Sequence, residues 1–376
     1  MDFSFGEEHA LVRDLAREIL SREVTPERLK AVEAAGAEHD GALWQQLAAA
    51  NLLGVAVPEA QGGMGLGLVE LCALLQEIGR TVAPVPVFPA LALAGLPLAR
   101  AGTPAQRERW LPALVRGEAI LTAALLDDGS ADPAAPATCA RRRGARFVLE
   151  GGKRFVPAAG IASLLLVPAS TDAGPRVFLV DPRAKGIALE RQLTSGRRPL
   201  FSLALAEAEA EDVLGGEGFD AGELLHWLRD VALVANAALQ LGVSERALEI
   251  TADYVKQRVQ FGQPIGAFPA VQHRCADAWI DLEALRWTTW RAAWKLSRGG
   301  SAPREAMVAK FWAAEAGSRI ATATQHLHGG MGVDLDYPIH RYFLWSKALE
   351  LDHGGATPQL VRLGRELARA GLEELR

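Results

Sequence analysis

The apolar positions of the first third of the chain recur at helical spacing. In EEHALVRDLAREILSREV, Leu11, Leu15 and Ile19 fall four residues apart on a polar background, which places them on one face of an amphipathic helix. GALWQQLAAANL and LVELCALLQEIGR continue that period, and Thr103-Pro104 supplies a helix N-cap followed by proline at the first helical position, predicting a helix over 103–117. Between these, LLGVAVPEAQGGMGLG carries five glycines and predicts a loop. At residue 119 the pattern changes. AILTAALL, RFVLEGG, SLLLVPAS, RVFLVD and FSLALAEA are short apolar runs, separated by Asp127-Asp128-Gly129, Gly151-Gly152, Asp172-Ala173-Gly174 and Pro182. They predict a β domain, a barrel or a sandwich. Long helices then return, over 221–258, 269–298 and 303–328. The second carries Trp287, Trp290 and Trp294 at i, i+3 and i+7, the stripe expected of a bundle core. Helices, then sheet, then helices predict an α+β chain with segregated layers, divided at 1–118, 119–219 and 220–376.

Composition narrows the classes. A chain of 376 residues exceeds one ordinary core, and 49% hydrophobic against 23% charged residues is a globular balance. A formal net charge of −5 gives no electrostatic reason to expect nucleic acid, and the one dense basic run, Arg141-Arg142-Arg143, reads as a solvated turn. Cys72, Cys139 and Cys275 are isolated, as expected of reduced thiols in a cytosol. The N-terminal stretch has no basic region followed by an apolar one, so no export signal is expected. The apolar stretch at 84–99 is interrupted by prolines and too short to cross a bilayer. The expectation is a cytoplasmic protein without membrane insertion.

Three places hold candidate chemistry. Four of the eight histidines lie between 326 and 353, and His326-x-His328 stands near Asp334, Asp336 and Asp352. This set could hold zinc, but histidines capping a helix end are the simpler reading, and no metal is expected. Ser130 and Ser195 lack the strand–turn–helix setting of a nucleophile elbow, and the glycine loops lack Walker spacing. In YVKQRVQFGQPIGAFPAVQHRCADAW, Gly262, Pro264 and Gly266 break two helices and make a short connector bearing Arg258, Gln260 and Phe261. A cation, an amide and an aromatic face suit a phosphate and a stacked heteroaromatic ring. The alternative is an interhelix turn whose Phe261 plugs the bundle. Lastly, LELDHGGATPQL gathers Glu350, Asp352 and His353 before Gly354-Gly355, either as an acid–base cluster or as a polar loop between helices.

RVQFGQPIGAFPAVQHRCAD closely resembles the signature of acyl-CoA dehydrogenases, and VAVPEAQGGMGLG and HLHGGMGVDLDYPIHRYF resemble two further segments of that family. The likeness spans the chain. It implies an N-terminal helical domain, a central β-barrel and a C-terminal four-helix bundle, with FAD bound across a subunit interface. Arg258, Phe261, Gln263, Gly329 and Gly330 match the segments that reach the nucleotide end of FAD held by a neighbouring chain. His326 stands where the family has glutamine, with Gln325 beside it. On the flavin-ring side the family's threonine becomes Leu126 before Asp127, and its hydroxyl residue after the lysine becomes Pro157, in Lys153-Arg154-Phe155-Val156-Pro157. The family's catalytic glutamate aligns with His353, preceded by Asp352. A second base position, on the long helix, aligns with Ala232 and its neighbouring arginine with Leu233. Leu126, Leu233 and Trp227 are candidates to line an acyl site. The resemblance therefore implies an acyl-CoA substrate and two readings. In one, the chain is the subunit of a heterotetramer that lacks the base, as in bacterial sterol side-chain enzymes. In the other it is a self-sufficient homotetramer with Asp352 or His353 as base. A DNA-associated branch of the superfamily is disfavoured by the acidic charge.

Overall fold

In a computed structural model that describes residues 5–130, 132–144, 146–196 and 198–370, the first helices are α1 (Glu7–Glu23), α2 (Pro26–Ala34), α3 (Gly41–Ala49), α4 (Leu68–Thr81), α5 (Leu96–Ala101) and α6 (Pro104–Val115). Their starts are written locally. The Asp40 carboxylate accepts from the Leu43 N–H at 2.9 Å ahead of α3. Thr103 and Gln106 form a reciprocal capping box at α6. From Val87 on, the stretch over 84–99 is helical despite its prolines. Phe88–Gly95 is a wholly buried π-helical segment running into α5, and Pro89 and Pro97 sit in first turns, where the missing N–H has no intrahelical partner to lose.

The strands are β1 (Leu121–Ala123), β2 (Leu126–Asp127), β3 (Cys139–Arg143), β4 (Arg146–Pro157), β5 (Leu164–Thr171), β6 (Gly174–Val180), β7 (Ile187–Gln192), β8 (Leu200–Glu209) and β9 (Asp212–Val213). They form one nine-stranded sheet in the order β7-β8-β4-β3-β5-β6-β9, with β1 parallel to β5 and β2 on β4. The expected closed barrel is corrected here. β7 and β9 end the path and do not pair with each other among the described residues. Closure needs a continuous staggered ladder at the seam, and β9 contributes only two residues, paired with Phe178 and Leu179 of β6. Leu149, Leu165, Val167, Phe178, Val180 and Leu203 fill the core of this layer. Two smaller expectations also change. Gly151-Gly152 is no turn: β4 runs through it on a register shift, with Gly151 at φ 145°. The run Arg141–Arg143 is strand β3, its exposed guanidinium groups paired with Glu207 and Glu217.

The remaining elements are α7 (Gly222–Gln257), the hairpin β10 (Val259–Gln260) and β11 (Gln263–Pro264), α8 (Pro269–Ser297), α9 (Pro303–Leu327), α10 (Ile339–Leu351) and α11 (Ala356–Ala370). The chain divides into two compact units. One holds the start of the chain to Ile19, Ala31–Leu71 and Pro84–Ala232; the other holds Leu20–Lys30, Cys72–Ala83 and the residues from Leu233 onward. In the second, α9 packs against α8, α10 and α11. α4 and α7 cross at glycines: a Cβ at Gly242 would lie 1.9 Å from the Gln76 carbonyl, and one at Gly79 2.1 Å from that of Leu239. Buried Glu245 then fastens the crossing, accepting from Gln76 at 2.6 Å and Arg80 at 3.1 Å and pairing with Arg286 of α8.

The tryptophan stripe is not core. Trp290 is 7% exposed, but Trp287 and Trp294 are 47% and 44% exposed. The seam of α8 is made instead by Leu282, Leu285, Thr289, Ala292 and Leu296, alternating three and four residues apart, and Trp287 and Trp294 fall two positions outside it. No helix among the described residues is long and apolar enough to cross a membrane.

Candidate functional site

The second unit carries a rigid, outward-pointing group at one end. α7 stops at Gln257, and the chain reverses through β10 and β11 on a two-residue turn whose residues, Phe261 and Gly262, both have positive φ, 52° and 81°. That is the hairpin turn whose twist matches paired strands. A phenylalanine in the first left-handed position is strained by about 1–2 kcal/mol. Its ring is 94% exposed and meets Phe268 edge-on at 6.2 Å. Phe261 therefore does not plug the bundle. The Arg258 carbonyl accepts from the Ile265 N–H at 2.8 Å, closing the base of the hairpin. The Arg258 guanidinium has no hydrogen-bond or ion-pair partner among the described residues. Gln263 is exposed on the same hairpin.

The end of α9 is fastened beside it. Tyr254, in the last turn of α7, stacks on His328 at 4.4 Å, and Tyr337 flanks both rings at 6.1 and 5.2 Å. His328 is buried, and its Nδ1 lies 2.8 Å from the Thr324 carbonyl oxygen, so that nitrogen carries the proton. Burial pushes this imidazole's pKa below its ordinary value. From the first turns of α8, Arg274 donates to His326 Nδ1 at 2.9 Å. Gly329, at φ 56°, and Gly330 follow, and a Cβ on either would meet nothing within 4 Å. The ends of α7 and α9 and the start of α8 thus meet at Tyr254, His328, Arg274 and His326, with open space above Gly329 and Gly330, while Arg258, Phe261 and Gln263 lie on the hairpin that leaves α7. Sequence reasoning missed Tyr254, Tyr337 and Arg274. Their only signal was position, each lying within two turns of a helix end that adjoins a candidate residue.

In the first unit the segments that resemble the family's flavin-ring contacts bury Asp127 and Lys153 and leave Leu126 and Pro157 half-buried. Asp127 and Lys153 form an ion pair at 2.8 Å with side chains 1% and 0% exposed. The same carboxylate accepts the Thr138 N–H at 3.0 Å and the Thr138 hydroxyl, and Lys153 also donates to the Pro168 carbonyl at 2.7 Å. Burial pushes Lys153 down to about 8 even with Asp127 beside it. Leu126 lies opposite Arg154, which pairs with Asp128. Pro157, without an N–H, takes a hydrogen bond on its carbonyl from the Thr122 hydroxyl at 2.8 Å. The Phe155 N–H, at φ 53°, is used by Gln192 at 3.2 Å. Trp227 lies under the guanidinium of Arg100, 4.6 Å away.

The stretch around His353 is a helix terminus. Asp352 ends α10 with its N–H on the Ala348 carbonyl, and His353 and Gly354 turn the chain at φ 57° and 88°. The Gln359 side-chain amide donates to the carbonyls of His353 and Gly354 at 3.0 and 3.2 Å. Lys310, fully buried, donates to the carbonyls of Leu349 at 2.5 Å and Glu350 at 3.3 Å and to Asn236 Oδ1 at 2.9 Å. A cation there complements the helix dipole. The Glu350 carboxylate pairs with Lys347 at 3.0 Å. On α7, Ala232, expected at the second base position, and Leu233, at its neighbouring arginine position, are each 1% exposed.

Comparison with known proteins agrees along the chain. Residues 6–118, 127–212 and 231–367 match the N-terminal, middle and C-terminal domains of acyl-CoA dehydrogenase. Acyl-CoA dehydrogenase FadE27 of Mycobacterium tuberculosis is 39% identical, over 98% of this chain and 99% of that one. Among solved structures, a variant of the Tcur3481-Tcur3483 steroid ACAD is 47% identical with a TM-score of 0.92, covering 98% of this chain and 99% of that one. The ChsE4-ChsE5 complex from Mycobacterium tuberculosis also gives a TM-score of 0.92, at 38% identity and the same coverage.

Proposed function

This chain belongs to the acyl-CoA dehydrogenase family, oxidoreductases that act on CH–CH bonds with a flavin acceptor, and we propose that within it the chain is the subunit of a heterotetramer that donates the nucleotide-end contacts of FAD and lacks the catalytic base. The carrying observation is the contrast between the two sets of cofactor residues. At the hairpin end, the unpartnered Arg258 guanidinium, the exposed Phe261 ring and the open Gly329-Gly330 turn fit a diphosphate and an adenine. At the ring end, the side chains of Leu126 and Pro157 offer no donor, and Asp127 Oδ1 is already held by Lys153 and Thr138.

Bound FAD supplies the hydride acceptor for α,β-desaturation of an acyl-CoA thioester. The residues of this chain hold the dinucleotide end and supply no base. Removing a weakly acidic α proton calls for a desolvated carboxylate with a raised pKa. At the aligned position stands His353, on a turn whose carbonyls Gln359 holds. The base and ring contacts then come from a second acyl-CoA dehydrogenase chain, and two of the similar structures are themselves named for two chains. The exposed Trp279, Ile280, Trp287 and Trp294 of α8 suit burial against such a partner. The division at 1–118, 119–219 and 220–376 serves as the functional one, in a cytoplasm that keeps the sparse cysteines reduced. Steroid side-chain thioesters are the first substrates to try, because the relative at 47% identity is a steroid ACAD.

The test uses the chain co-expressed with its partner. His353→Ala and Asp352→Ala in this chain are expected to leave dehydrogenation by the pair within about twofold of the parent. A loss of the order of 10²–10⁴-fold, typical of a removed general base, from either substitution would restore an active-site role here and contradict the proposal.

A further inference from the structure

We infer that Arg274 is a positioning residue that fixes the tautomer of His326, turning its Nε2–H into a hydrogen-bond donor for the FAD diphosphate; this rests on the nucleotide-end reading above. The step follows from donor and acceptor chemistry. A guanidinium has only donors, so a 2.9 Å contact from Arg274 to His326 Nδ1 requires that nitrogen to be unprotonated. The single proton of the neutral ring then sits on Nε2. His326 is exposed in the last turn of α9, three residues before Gly329, so this N–H is available to a ligand. Left alone, a neutral imidazole exchanges between tautomers, and the other one would present a lone pair to a phosphate oxygen and repel it.

His328 shows the opposite arrangement two residues on. Its Nδ1 faces the Thr324 carbonyl and must carry the proton, so its Nε2 is a bare acceptor, buried and without a hydrogen-bond partner among the described residues. The same helix end thus holds one imidazole as an outward donor and one as an inward, non-donating ring stacked on Tyr254. Arg274 decides the first. An amide at position 326 would need no such help, because its –NH₂ always donates.

The prediction is a conditional dependence. In the co-expressed pair, Arg274→Met is expected to weaken FAD binding about three- to fivefold, the reciprocal of the fraction of His326 rings left in the Nε2–H form. In the His326→Gln background the same Arg274→Met change is expected to alter FAD affinity less than about twofold. Solid-state NMR of the chain labelled with 15N-histidine, without FAD, should show the Nε2–H tautomer at His326 and a mixture of tautomers in Arg274→Met. Equal weakening in both backgrounds would mean that Arg274 touches FAD directly or only supports the fold, and would overturn the inference. An Nδ1–H signal at His326 in the parent chain would overturn it as well. If the tautomer is as expected but neither His326→Ala nor Phe261→Ala changes FAD binding, the nucleotide-end reading itself fails and takes this inference with it.

Discussion

Lys153 and Asp127 show how a buried charge depends on its partner. With Leu126 and Pro157 on the same paired strands, the carboxylate and the ammonium neutralise each other in the core at 2.8 Å. Asp127→Asn should therefore destabilise the fold by about 3–5 kcal/mol, the cost of leaving a buried cation unpaired, measured by urea unfolding. A loss under about 1 kcal/mol would mean that the pair is solvated. The pH dependence has a definite sign. Lys153 titrates at about 8 in the folded chain against an ordinary 10.5, so between those values the unfolded chain binds more protons. Stability from this group is lowest below pH 8, rises by up to about 1.4 kcal/mol per pH unit between 8 and 10.5, and levels off above. The double variant Asp127→Asn with Lys153→Met should lack that rise. Residue identities were readable from the sequence here, since Leu126, Pro157 and His353 stand out as departures. Their consequences were not, because the partner of Asp127 lies on another strand and only the pairing of β2 with β4 brings the two together.

Elements were legible where a local signal specified them. Thr103 and Pro104 announced α6, and the ends of α7, α8 and α9 fell within one residue of the breaks at Arg258, Pro269 and His328. What failed needed tertiary information. Gly151-Gly152 is a turn by residue type but a bulge inside β4, because β8 continues to pair across it. A tryptophan stripe at helical spacing fixes a face, yet only packing against α9 decides that the face two positions away is buried. Five apolar runs left a barrel or a sandwich open and the family resemblance implied a barrel, but the sheet is open, with β9 too short to close it. The crossing of α4 and α7 provides a test at this scale. Gly242→Ala would place a methyl 1.9 Å from a backbone carbonyl that cannot yield. The variant should lose more than about 3 kcal/mol or fail to fold, by thermal or urea unfolding. Gly262→Ala, where nothing lies within 4 Å but φ is 81°, should cost only about 1–2 kcal/mol.

For the molecule as a whole, family membership was legible because several motifs spread along the chain point the same way. Subunit chemistry was legible only as absences at Leu126, Pro157 and His353. The structure adds their surroundings: a buried ion pair next to Leu126 and a helix terminus at His353, with an open cationic and aromatic end at the hairpin. A chain that can offer FAD one end but not the other should be colourless by itself. The deciding measurement is the visible absorption spectrum of the purified chain, alone and co-purified with the second dehydrogenase chain, with FAD quantified after denaturation. The expected result is no flavin band from the lone chain and a full band from the pair. A lone chain that purifies yellow, with stoichiometric FAD reduced by acyl-CoA, would contradict the division of labour proposed here.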